Sequence, residues 1–216
     1  MELLRPDSEV MEFLGKVTDM IIINLLCVLC SIPIITIGAA FTAKYYTSMK
    51  LVRGEEPNVC KSYFKSFREN FVQITPVWFV ELIIALVLIF DWYNVIYGLG
   101  ATMPFVLKVM LAVVSFIVWS VIYCMFPFMA RFQVSTKELV KASILMALLN
   151  FPRMVLIFIV TFLPYIICLW YIKWGLGIWI LCTTVSLYYI SKEFNTQLEM
   201  LVNKGEGNES ENTEAC

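Results

Sequence analysis

The residues of this chain fall in long, mostly apolar runs, unlike the alternating or one-faced patterns of a water-soluble fold. A helix that crosses a bilayer needs about 20 mostly apolar residues. Three runs meet that need: Phe71 to Phe90, Phe105 to Ala130 and Met154 to Tyr171. A fourth, Leu176 to Ile190, is shorter, but the turn Tyr171-Ile172-Lys173-Trp174-Gly175 before it leaves room only for a return across the bilayer. Backbone polar groups find no partners in lipid, so each of these runs is expected to be helical.

The first apolar run, Met20 to Ala43, is interrupted by Ser31-Ile32-Pro33 and Thr36-Ile37-Gly38. Proline removes a backbone donor and disfavours helix at the residue before it, which makes Pro33 and Gly38 the candidate hinge or helix break. The run reads either as one kinked span or as two shorter helices joined near Pro33, the second reaching about Leu51, and the broken form fits the residues better. That second helix would stack Ala39, Ala43 and Thr47 on one face, a small-residue surface suited to close packing. It would also draw Lys44 towards the membrane interior.

Two polar segments separate the runs, and both have helical periodicity. In the first, Tyr63, Phe64, Phe67 and Phe71 are interleaved with Lys61, Lys65 and Arg68, as in an amphipathic helix lying in the interface. These residues are the candidate partner-docking or interfacial set. In the second, Ser135-Thr136-Lys137-Glu138 is a capping-box pattern, and Leu139, Ala142, Ser143 and Met146 follow on one face. Each segment ends in Asn-Phe before a pair of spans, which admits a parallel repeat of interfacial helix, span, span.

The expected architecture is thus an all-α membrane protein, a polytopic bundle of five to six transmembrane helices with two amphipathic cytoplasmic helices. Residues 1–200 form one domain, and 201–216 form a disordered acidic tail with Glu206, Glu209, Glu211 and Glu214. Lysine and arginine concentrate in residues 44–70 and 131–153, whereas Asp91 to Pro104 has none. By the positive-inside rule those two segments and the C-terminus face the cytoplasm. The N-terminus lies outside for five crossings and inside for six. The first seventeen residues carry more acid than base, so the first apolar run is expected to be retained and not cleaved as a signal.

Composition agrees. Hydrophobic residues make up 60% of the chain and charged residues 15%, against about half and about a quarter in soluble domains. A net charge of −1 leaves no basic face for nucleic acid. With no histidine the commonest metal ligand and general base is missing. Cys27 and Cys30 form a C-x-x-C, but no second pair accompanies it, and most of the cysteines lie in apolar runs as small hydrophobes. No nucleophile–base pair or carboxylate cluster is present, so no catalytic, cofactor or metal residues are expected and the chain reads as a non-enzyme.

One residue is the main anomaly in the apolar pattern. Glu81 falls near the middle of the Phe71 to Phe90 helix, where a carboxyl should face the bundle interior. It is either a proton or substrate site or a packing hydrogen bond. An internal Lys44 would be the partner to expect, so Glu81 and Lys44 form the candidate intramembrane polar site.

The stretch Asn24-Leu25-Leu26-Cys27-Val28-Leu29-Cys30-Ser31-Ile32-Pro33-Ile34-Ile35-Thr36-Ile37-Gly38-Ala39-Ala40, with Tyr45-Tyr46, Lys50-Leu51-Val52-Arg53-Gly54-Glu55-Glu56 and Ser62-Tyr63-Phe64-Lys65-Ser66-Phe67-Arg68-Glu69-Asn70-Phe71, resembles the YesL-like family of bacterial membrane proteins, a domain of unknown function. The resemblance is specific over residues 20–80 and elsewhere covers only the layout of spans. It implies a multi-pass protein of the bacterial cytoplasmic membrane, embedded in the lipid bilayer. It also implies an accessory component of carbohydrate uptake or utilisation, with ABC-importer permease or ATPase subunits, or another membrane protein, as partners. Lys44 and Glu81 depart from the family pattern. The residues themselves point to an alternative, a small secondary transporter or channel using Glu81.

Overall fold

The computed structural model describes residues 9–55, 58–98, 103–132, 134–149, 151–170, 183–196 and 199–200. Among them are seven α-helices and no strand. The expected tail and the first half of the run Leu176 to Ile190 lie outside the described residues.

Helix α1 (Glu9–Cys30) stops three residues before Pro33, a 3-10 turn follows at Ile34–Thr36, and α2 (Ile37–Arg53) begins. The carbonyls freed at this break are met locally. The Thr36 hydroxyl lies 2.6 Å from Cys30 O and 2.7 Å from Pro33 O, placed to donate to either. The chain does not continue straight. Asn24 on α1 donates to Thr184 Oγ1 at 3.2 Å, and Ser48 on α2 lies 2.7 Å from Ser191. Both partners belong to one helix, α7 (183–196), where seven residues span only about 10 Å. In an unbroken helix Asn24 and Ser48 would be about 36 Å apart. Helices α1 and α2 therefore form a hairpin that folds back at Pro33, which rules out a single kinked span.

Helix α2 ends at Gly54, whose φ of 73° lets Gly54 N–H reach Leu51 O and Glu55 N–H reach Lys50 O, each at 3.1 Å. That pair of bonds is a Schellman cap, which requires the left-handed conformation glycine adopts without strain.

Helix α3 (Val59–Tyr93) is continuous over 35 residues. This corrects the expectation of a separate interfacial helix at Lys61–Phe71. Asn70 does not end a helix but sits inside this one, donating to Ser66 O at 2.9 Å and Ser66 Oγ at 3.1 Å. A π-helical turn at Asn94–Gly98 extends α3, and α4 (Phe105–Arg131) runs back beside it. Trp92 donates to Ser115 near one end of the pair, and Gln73 donates to Val134 O near the other. Val59–Gly98 and Phe105–Arg131 are each long and apolar enough to cross a membrane.

Helix α5 (Thr136–Leu149) starts on the expected capping box, with Ser135 N–H given to Glu138 Oε2 at 3.2 Å and Glu138 N–H to Ser135 Oγ at 3.5 Å. The Leu139, Ser143, Met146 face is buried, as its periodicity requires. Yet α5 packs along α4 and does not lie as a free surface helix. The axis turns by 93° into α6 (Phe151–Trp170), and the two count as one further crossing only if the bent pair is a single span. Because α3 is continuous where α5–α6 is bent, the two halves do not repeat one another. The described helices thus give two to three membrane-crossing segments by length and composition, where the sequence led us to expect five to six.

Helix α2 is the centre of the packing. Ala39, Ala40, Ala43 and Thr47 are fully buried, with α1, α3 and α4 around them. Small side chains let these helices approach closely.

Candidate functional site

The most unusual side chain environment lies where α3, α4 and α5 diverge. Val77, Glu81 and Ile84 follow one another at helical spacing on α3, so they share a face. That face looks across a gap to Phe116, Ser120 and Val121 of α4 and to Val140, Ile144 and Ala147 of α5. The gap is a crevice of about 460 Å³, within the range of small-molecule sites. Its wall is almost wholly apolar. It opens sideways onto exposed Val80, Ile84 and Ile144, on the surface that lipid would cover.

Glu81 lines this crevice and is only 4% exposed. Neither carboxyl oxygen has a hydrogen-bond partner among the described residues. Of the polar residues in the wall, Ser120 gives its hydroxyl to Phe116 O at 2.8 Å. A buried acceptor without a partner costs about 1–3 kcal/mol, so Glu81 is a polar group that the packing of the described residues does not use.

Lys44 is not that partner. It sits half-buried on α2 close to Cys27, with Nζ 5.6 Å from the Phe41 ring centroid. The expected Glu81–Lys44 pair is therefore not formed.

Pro33 occupies the tip of the α1–α2 hairpin. Gly38 serves contact: a Cβ built there would meet Trp78 Cβ at 2.8 Å and Cγ at 3.2 Å. Trp78 in turn donates its indole N–H to Ile34 O at 2.8 Å.

The basic and aromatic set divides between the two sides of α3. Lys61, Phe64, Lys65 and Arg68 are exposed and line a shallow groove with Glu69. Tyr63 is fully buried and donates to Ala40 O at 3.2 Å, which corrects its assignment to the interface. Phe67 is intermediate, stacked on Tyr63 with centroids 6.5 Å apart.

A second polar feature escaped the sequence reading. On α7, Thr184, Ser191 and Asn195 face α1 and α2. Asn195 donates to Met49 O and accepts from Arg53 Nη1, both at 3.0 Å. Arg53 also forks onto Glu55 and holds that carboxyl below its usual range. The spacing of seven and four residues, which puts Thr184, Ser191 and Asn195 on one side of the helix, was the available signal.

Residues 20–92 match the family model described as "Protein of unknown function, DUF624". The residues singled out in the sequence, from Pro33 to Arg68 and Glu81, fall in that stretch, whereas the crevice walls from α4 and α5 and the polar face of α7 lie beyond it. No curated protein and no solved structure matches the chain.

Proposed function

We propose that this chain is a non-enzymatic integral protein of a bacterial cytoplasmic membrane, and that it binds a lipophilic small molecule carrying a hydrogen-bond donor or a positive charge at Glu81. The observation behind this reading is a pair of carboxyl oxygens without a partner among the described residues, inside an apolar crevice. A carboxyl in low dielectric strongly favours a donor or cation that arrives with its own apolar body. A sugar would need many polar partners, and the wall offers few, so Glu81 serves a carrier or receptor for lipophilic compounds better than a sugar path.

The test is binding of a compact lipophilic amine, 1-adamantylamine, to the detergent-purified protein, with adamantane as control. The amine is expected to raise thermal stability in a saturable way, and Glu81→Gln should remove its advantage over the hydrocarbon. Equal responses of the wild type to amine and hydrocarbon would overturn the reading.

A second reading concerns the cytoplasmic end. The exposed stripe Lys61, Phe64, Lys65 and Arg68 lies on a part of α3 that precedes its apolar segment. It offers charge and an aromatic anchor to a partner. Together with the YesL-like resemblance, this supports an accessory role in carbohydrate uptake, docking an importer ATPase or permease. Pull-down under uptake-inducing conditions should recover such a subunit with the wild type and lose it when Lys61, Lys65 and Arg68 are replaced by Gln.

A further inference from the structure

We infer that the α1–α2 hairpin is a re-entrant wedge: it enters the leaflet on the basic side, buries its tip among the acyl chains there, and leaves on the same side without crossing. The depth follows from contacts with α3, whose apolar segment Phe71 to Phe90 fixes the bilayer. Trp78 bonds the carbonyl of Ile34, so the tip lies level with Trp78. Seven residues separate Phe71 from Trp78, about 10 Å of helix. The hydrocarbon core is about 30 Å thick. To reach the far surface the tip would have to lie level with Phe90, about 18 Å further on.

The surface chemistry agrees with that depth. At the tip, Ile32 is 75% exposed, and Ile34 and Ile35 are exposed beside it. Leu25, Val28 and Leu29 form an exposed apolar strip on α1, whose other face buries Ile23 and Cys27. At the base of the hairpin, α2 ends in Lys50 and Arg53, and Lys61 and Lys65 stand nearby on the start of α3. An apolar end that dips into lipid and a basic end at the headgroups is the pattern of an element inserted in one leaflet. At the tip, Thr36 meets the carbonyl of Cys30 or Pro33 and Trp78 that of Ile34, which lowers the cost of holding this backbone at membrane depth.

Labelling with a membrane-impermeant maleimide tests this in oriented vesicles. Single cysteines are placed at Gly15→Cys, Ile32→Cys and Lys61→Cys in a cysteine-free version of the full chain; Gly15 has open space around its Cα. Positions 15 and 61 should label from the same side and position 32 from neither. A nitroxide at position 32 should report a depth of about 10 Å below the headgroups. Labelling of position 32 from the side opposite position 61 would show a pair of full crossings. Labelling of 15 and 61 from opposite sides would show a single span. Either result overturns the wedge. Should the cysteine-free chain fail to fold, an N-terminal epitope tag on the native sequence gives a second measurement: protection on the side where position 61 is accessible refutes the proposal, and accessibility there supports a returning hairpin against a single span.

Discussion

The indole N–H of Trp78 and the carbonyl of Ile34 meet at 2.8 Å, joining the middle of the longest helix to the tip of the N-terminal hairpin. Beside that bond, Gly38 lets α2 lie against Trp78 where a methyl group would not fit. The hydrogen bond and the glycine contact together set the register between α2 and α3.

Gly38→Ala should therefore destabilise the protein by about 1–3 kcal/mol, the usual consequence of overpacking. Trp78→Phe should cost about 1 kcal/mol through loss of the bond to Ile34 O. Unfolding in mixed micelles measures both. A hinge role for Gly38 predicts a different outcome, with altered function at unchanged stability.

Glu81→Leu should leave the fold intact and raise stability by about 1–3 kcal/mol, because it removes a buried acceptor that has no partner among the described residues. The same substitution should abolish discrimination between 1-adamantylamine and adamantane. Gain of stability with loss of binding marks a residue kept for function; loss of stability would instead show that Glu81 makes a packing hydrogen bond.

The polar contacts of α7 should behave as a unit. Asn195→Ala is expected to cost about 1–3 kcal/mol, since it leaves Met49 O and one Arg53 donor without their partner. Ser48→Ala and Ser191→Ala should each cost about 1 kcal/mol. The double variant should lose clearly less than the sum, because the two hydroxyls bond each other.

Acid should loosen the same end of the molecule. The Arg53 guanidinium lowers the carboxyl pKa of Glu55, so the stabilisation is fully present above the ordinary value of about 4.3 and is lost as pH falls through the depressed folded value. Chemical-shift titration of the Glu55 carboxyl should give a midpoint below that ordinary value, and Arg53→Gln should restore it. The effect on melting temperature should be small, because Glu55 is 47% exposed and screened by solvent.

Much of this molecule is written locally in its sequence. The apolar runs dictate helices at Phe71–Phe90 and Phe105–Ala130 because lipid offers the backbone no other partners. Pro33 stops α1, Ser135 and Glu138 start α5, and Ala39, Ala43 and Thr47 mark the packing face of α2. Each of these rests on groups within a turn or two of one another. The tertiary structure decided what depends on residues far apart in the chain. The bonds of Asn24 and Ser48 to one distant helix, with the packing of α1 on α2, show that the two helices fold back. The continuity of α3 and the burial of Tyr63 against Ala40 depend on α2 covering one side of a segment whose periodicity alone reads as an interfacial helix. Glu81 was visible in the sequence as an anomaly; its lack of a partner was not, because that depends on where three helices diverge and on Lys44 lying beside Phe41 instead.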